Sequence, residues 1–251
     1  MTAASLRLVT FNVHHGVGPD GRHDLDRLTR LLADTDADLI CLQEVDRHFG
    51  ARSEHADQAL TLARGLDREL AFAASVDEPG EAGRRRYGNA LLSRLPVLDS
   101  QVHRLPGSGE PRTALRTVVQ VAGGALAVTT THLANRSRTD RAAQAAVLAE
   151  LAGASGLVVG DLNAAPGAPE LAALRGRLTD AWTATGARSD QAGRLTLRTG
   201  RGGTHPVRRP RRRIDQVWVP AGVTVTAARV LDGSSVSDHH PLQVDLSVTP
   251  R

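Results

Sequence analysis

From residue 88 to residue 132 the chain offers four strand-like segments in succession, 88–94, 97–105, 113–122 and 125–132, bounded by turn residues and with no helical pattern between them. A doubly wound parallel sheet needs a helix between most of its strands, so this run excludes that architecture. Further strand candidates lie at 5–13, 37–44, 69–75, 156–160, 214–219, 223–231 and 242–248. Helical spacing is confined to 24–34, where Leu25, Leu28, Leu31 and Leu32 recur behind a capping Asp24, to 54–67, to 138–152 and to a short piece near 168–175. Many strands and few helices predict two packed sheets with helices on the outer faces.

With 251 residues, 41% of them hydrophobic, the chain can bury a sizeable core. The Pro, Gly and Ser clusters at 77–84, 106–111 and 186–206 read as loops, and candidate functional residues fall on both sides of each, so residues 1–251 are expected to form one domain. No run of eighteen apolar residues occurs, and the N-terminus enters a strand without a signal-like core, which leads to the expectation of a cytoplasmic monomer. The single cysteine, Cys41, lies within Leu39-Ile40-Cys41-Leu42; it reads as a core residue and excludes an intrachain disulfide. All 31 basic residues are arginines, the net charge is +4, and much of that charge sits in Arg84-Arg85-Arg86 and in Arg208 through Arg213. Such runs are either solvated loops or attractors of an anionic substrate. Aromatic residues make up 2% of the chain, too few for a stacking platform along single-stranded nucleic acid.

Several polar residues stand directly after apolar runs. Asp161 and Asn163 follow the strand at 156–160, and positions two apart on extended chain point the same way. A carboxylate there can accept a proton or ligate a metal, and a carboxamide can donate to a phosphoryl oxygen without adding repulsion. The pair also fits an Asx-type turn. Glu44 closes the strand at 38–43, either as its solvent end or as one of the few carboxylates that Mg2+ uses, and Asn12 ends the first strand in the same way. His14 and His15 suggest zinc, but a lone cysteine and no spaced His/Cys set point to an oxygen-rich site, with this pair as cleft wall or loop. His132 ends the strand at 126–131, and Asp215 precedes Val217-Trp218-Val219, where it could simply pair with Arg213. In Ser237-Asp238-His239-His240-Pro241, His239, with an ordinary imidazole pKa of about 6.5, is the best acid–base candidate.

Taken together, Thr10-Phe11-Asn12-Val13, Leu42-Gln43-Glu44-Val45, Gly88-Asn89-Ala90-Leu91-Leu92-Ser93-Arg94, Thr131-His132-Leu133, Gly160-Asp161-Leu162-Asn163, Arg213-Ile214-Asp215 and Ser237-Asp238-His239 resemble, in order, the motifs of the endonuclease/exonuclease/phosphatase superfamily. The resemblance implies a four-layer α/β sandwich of the deoxyribonuclease I type, with two mixed sheets face to face and helices outside. It implies Glu44 as principal metal ligand, assisted by Asn12 and Asp238. It places Asp161 and Asn163 at the attacking water and scissile phosphate, His239 as general base or acid, Asp215 as the residue orienting a histidine, and His132 at the phosphoryl oxygens. Arg112, with Asn89 and Tyr87, is the expected substrate contact; Arg116 is the alternative, facing solvent.

The cofactor implied is Mg2+, with Mn2+ able to substitute. Four carboxylates (Glu44, Asp161, Asp215, Asp238) in one pocket would repel without a cation among them. The expected activity is a divalent-metal-dependent, nuclease-like phosphodiesterase using in-line attack of an activated water, on DNA or a smaller phosphodiester. The alternative is a phosphomonoesterase for a phosphorylated sugar, inositol or lipid headgroup; an abasic-site endonuclease or a silent binding module follows behind. Three departures separate the chain from individual branches: it lacks disulfides, an aromatic wedge for DNA, and a hydrophobic membrane hairpin.

Overall fold

Both faces of the first strand, β1 (Ala4–Asn12), are apolar: Leu6 and Leu8 point one way, Val9 and Phe11 the other, and all four are buried. A strand of this kind has to lie between two layers. The same holds for β2 (Leu39–Arg47) and β8 (Leu157–Asp161), and the fold is built around them. The computed structural model describes residues 4–80, 83–186 and 202–248.

The remaining strands are β3 (Glu69–Gly80), β4 (Gly83–Ser93), β5 (Val97–Leu105), β6 (Arg112–Val121), β7 (Gly124–His132), β9 (Leu178–Asp180), β10 (Asp215–Pro220), β11 (Val223–Val230) and β12 (Leu242–Val248). They form two six-stranded sheets in the orders β11-β12-β1-β2-β4-β3 and β5-β6-β7-β8-β10-β9. Each sheet is mixed, with one parallel pair, β1/β2 or β7/β8, and antiparallel neighbours elsewhere. The parallel pairs need crossovers, supplied by α1 (Leu25–Asp34) and α3 (Arg138–Ala152). The shorter helices are α2 (Gln58–Gly65), α4 (Ala172–Arg175) and α5 (Ala181–Ala184).

Three apolar clusters define four layers. Leu6, Leu8, Leu39, Cys41 and Leu91 of one sheet meet Leu115, Val128, Leu157, Val159 and Val217 of the other. Leu28 and Leu32 of α1 and Leu62 of α2 cover Phe11, Ile40 and Leu42. Ala145 and Leu148 of α3 and Leu174 of α4 cover Val158 and Trp218. This is the α/β sandwich that the resemblance implied.

Some boundaries differ from the sequence reading. Residues 77–80 and 83–84 of the 77–84 cluster are strand where a loop was expected: β3 and β4 pair up to Gly80 and Gly83, with Asp77 bound to Arg84 and Arg86 and Glu78 to Arg85 across the arms. β9 and α5 are three and four residues long, too short for periodicity to reveal. α2 starts at Gln58, not near 54, because Asp57 caps it and residues 51–53 form a separate 3-10 turn. Of the 186–206 cluster, residues 187–201 lie outside the described residues.

Candidate active site

The alternation that fills the space between the sheets also builds the site. On β1 the inward series is Leu6, Leu8, Thr10, Asn12; on β7 it is Leu126, Val128, Thr130, His132; on β8 it is Leu157, Val159, Asp161; on β10 it begins with Asp215. Apolar residues thus give way to polar ones at one end of the inter-sheet layer. The register confirms the meeting point, since His132 and Asp215 are both paired opposite Asp161. Ligands of open α/β sheets gather at such carboxyl ends.

Glu44 breaks the alternation. On β2 the inward residues are Leu39 and Cys41, so strict period two would send Glu44 outward with Ile40 and Leu42. A bulge against β4 between Leu42 and Val45, with Glu44 at φ 59°, turns its carboxylate into the cleft instead. Glu44 therefore sits within β2 and does not close it. Left-handed backbone in a non-glycine strand residue is strained, and such strain clusters at functional sites.

Asn12 ties the two sheets together by donating its Nδ2 to Glu44 Oε1 at 2.9 Å and to Asp161 Oδ2 at 3.2 Å, while its Oδ1 accepts from the His14 backbone N–H. Burial, and then the neighbouring Asp161, raise the Glu44 carboxyl above its ordinary range, while the Asn12 hydrogen bond acts the other way. His239 Nδ1 contacts Asp215 Oδ2 at 2.8 Å, and its Nε2 lies 3.8 Å from Asp161 Oδ2. Burial alone would lower the His239 pKa, but Asp215, Asp161 and Asp238 outweigh it and push it up to about 10.

His132 behaves oppositely. Burial, helped by Arg112, brings it down to about 3, so it is a neutral imidazole. Arg112 Nη1 lies 3.2 Å from its Nδ1 and Asn163 Nδ2 lies 3.0 Å from its Nε2. A neutral ring has one lone pair for these two donors. The Arg112 Nε is likewise buried without a partner. Arg112 Nη1 also pairs with Glu110 Oε1 at 2.8 Å and Asn163 Nδ2 donates to Leu133 O at 3.1 Å, so the unpartnered Nε and the guanidinium charge are what an anion's oxygens would meet here.

The cleft, about 390 Å³, is lined by Glu44, Arg112, His132, Asp161, Asn163 and His239 at its floor, with Tyr87, His14 and His15 beside them. Phe49, Arg52 and Val76 raise one wall, and His205 and Arg212 lie in the loop 202–214. Burial holds the Tyr87 phenol proton, assisted by the Glu44 charge.

One expected substrate contact does not fall where the sequence put it. Asn89 does not line the cleft; it is buried and donates its Nδ2 to Thr113 O at 3.0 Å, joining β4 to β6 across the sheets. Of the expected metal set, Glu44 and Asn12 are in contact, and Asp238 lies next to Ser237, whose Oγ donates to Asn12 O at 2.7 Å, and beside His205 and His239, the ligand atoms of these last three lying within 4.8 Å of one another. Arg116 is half-buried on β6 and takes no part in the lining. Sequence reasoning missed His205, Phe49 and Arg52, which stand in irregular segments where no periodicity marks them.

The sandwich and its polar end define a class of phosphoester-cleaving α/β proteins. Residues 9–239 match the profile of the Endonuclease/Exonuclease/phosphatase family, and the chain belongs to it. Members of this superfamily are hydrolases acting on phosphoester bonds, generally with divalent metal. Similar solved structures include an endonuclease/exonuclease/phosphatase from Beutenbergia cavernae DSM 12333, 26% identical with a TM-score of 0.78 over 98% of this chain and 72% of that one. Another, from Bacteroides vulgatus, is 19% identical with a TM-score of 0.76 over 98% of this chain and 99% of that one. A mannosyl-6-phosphatase from Bacteroides thetaiotaomicron VPI-5482 is 16% identical with a TM-score of 0.73 over 96% and 99%. Comparison with curated proteins gave no match. Among the described residues, no helix is long and apolar enough to cross a membrane.

Proposed function

We propose that this chain is a divalent-metal-dependent phosphoesterase that hydrolyses a small phosphate ester by in-line attack of water. The observation that carries the reading is the convergence, at one end of the inter-sheet layer, of the buried Asp161 and Asp215 and the half-buried Glu44 with Arg112, His132, Asn163 and a protonated His239. The donors fit a hard cation. Burial and the neighbouring Asp161 raise the Glu44 carboxyl, a cost that a bound cation would offset, and Asp215 Oδ1 is buried without a partner. Glu44 and Asn12 would hold Mg2+ or Mn2+, which would polarise the phosphoryl group and offset the charge of the transition state.

The protein's own groups divide the remaining work. Arg112, His132 and Asn163 present N–H groups to the phosphoryl oxygens. His239 carries a proton at neutral pH and is oriented by Asp215, so it serves as the acid toward an ester or phosphoryl oxygen. That leaves Asp161, between Asn12 and His239, to take the proton of the attacking water. The cleft volume and its raised walls favour a small molecule over a duplex.

A phosphodiester is the first reading. A phosphomonoester is the second, favoured by Arg112 and Arg212 in the same lining, which suit a terminal phosphate dianion. Turnover of bis-p-nitrophenyl phosphate, p-nitrophenyl phosphate and plasmid DNA, each with Mg2+ and with EDTA, tests the proposal. The expected result is EDTA-sensitive turnover of a small ester with little action on the plasmid, the better small substrate deciding between the two readings. Turnover that survives EDTA, or none on any phosphoester, would overturn it.

A further inference from the structure

We propose that His205, Asp238 and His239 form a second cation site, selective for a borderline ion of the Zn2+ or Co2+ kind, whose occupation withdraws His239 from catalysis. Two imidazoles and one carboxylate are the donor set of many zinc centres and a poor one for Mg2+, which prefers oxygen. The ligand atoms of the three lie within 4.8 Å of one another. Donors bound to one ion at about 2.0–2.2 Å sit roughly 3–4 Å apart, so closing the set needs side-chain shifts below about an ångström.

The set is preorganised by the backbone. The loop 202–214 is pinned to the segment 237–240: Val207 N–H donates to Asp238 O at 2.8 Å, His240 N–H donates to Thr204 O at 2.8 Å, and the His240 ring contacts Val207 O at 2.9 Å. His205 is thereby fixed beside His239, their ring centroids 4.6 Å apart. Its Nδ1 is buried and has no hydrogen-bond partner. His239 is prepared in a second respect. Its Nδ1 is engaged by Asp215 at 2.8 Å, the carboxylate–imidazole arrangement that orients metal-bound histidines, and this leaves Nε2 as the ligating nitrogen. An ion on Nε2 takes the place of the proton there, which is released to solvent, and so occupies the same atom that the hydrolytic reaction uses.

The two cation sites thus differ in chemistry: Glu44 and Asn12 offer oxygen, and this one offers mainly nitrogen. Titration of the untagged protein with Co2+, in the presence of excess Mg2+, reads the second site by its visible d–d absorption. The wild type is expected to develop a saturating band that His205→Phe and Asp238→Asn lose and Glu44→Gln keeps; phenylalanine preserves the ring packing against His239 while removing the ligand. No band in the wild type, a band that persists in His205→Phe, or one lost in Glu44→Gln would overturn the proposal. The absorption does not depend on turnover, so its outcome is separate from that of the substrate reading. Where Mg2+-supported turnover is measured, Zn2+ is expected to inhibit, and His205→Phe to raise the inhibiting concentration at least about tenfold relative to its own zinc-free rate. Equal sensitivity of the two proteins would contradict the inhibitory role.

Discussion

Glu44 owes its place to a backbone conformation and a burial that both work against stability: a left-handed φ of 59° inside a strand, and a carboxylate whose pKa is raised by burial and then by Asp161. A carboxylate raised in the folded state contributes stability only while protonated, so that contribution is full below its unfolded pKa, near 4.3, and is lost as pH rises through the folded value. Glu44→Gln is therefore expected to be at least as stable as the wild type at pH 7 in EDTA, with the difference shrinking toward pH 5. Its Mg2+-dependent turnover is expected to fall by about two orders of magnitude or more. Urea denaturation at the two pH values, beside initial rates, checks both parts. A variant less stable by more than about 1 kcal/mol at pH 7, a clear loss against the expected gain, would refute the strained-carboxylate account. The same residue marks where strand arithmetic fails: period two assigns Glu44 to the helix-covered face, and only the motif order placed it in the site. Asn12, Asp161 and Asp215 obey the period, which is why extended-chain reasoning located them. His205 stands in a loop whose position depends on hydrogen bonds to Thr204, Val207 and the segment 237–240, and no local pattern encodes those.

Elements were legible in proportion to their length and to the burial of their faces. Strands with both faces apolar, such as β1 and β8, and helices with a leucine stripe and a cap, such as α1, declared themselves; β9 and α5 draw their stability from neighbours and left no trace. The cap of α1 is a direct case, since Asp24 accepts from the Arg27 N–H at 2.8 Å as the sequence predicts. α1 links β1 to β2 and so sets the approach of Asn12 to Glu44. Asp24→Ala should cost about 1 kcal/mol, lowering the melting temperature by roughly 2–4 °C. Differential scanning calorimetry decides; an unchanged melting temperature would mean that the side-chain bond does no work in holding the helix start.

At the scale of the whole molecule, the unsettled feature of the sequence was its arginine field, because a run of charges does not say which members face the cleft. The fold sorts adjacent residues into different tasks. Arg212 lines the cleft, while Arg213 donates to Asp180 Oδ1 at 2.6 Å with both side chains largely buried, and Asp180 in turn caps α5 through the Thr183 N–H. Removing Arg213 leaves Asp180 buried beside one fewer donor, so Arg213→Gln should cost about 2–3 kcal/mol and lower the melting temperature by several degrees. Arg212 is exposed, and its side chain makes no comparable bond among the described residues. Its charge acts on the incoming anion across solvent, over a distance set by the Debye length, about 10 Å at 0.1 M salt and about 3 Å at 1 M. Arg212→Gln is accordingly expected to keep the wild-type melting temperature and to lower kcat/KM a few-fold at low salt, the deficit closing as salt is raised. Thermal melts and a salt series on an anionic ester distinguish the two residues. If Arg212→Gln melts early, or if its kcat/KM deficit does not depend on salt, steering by the rim is wrong and the loop is held by a contact other than those that pin Thr204 and Val207.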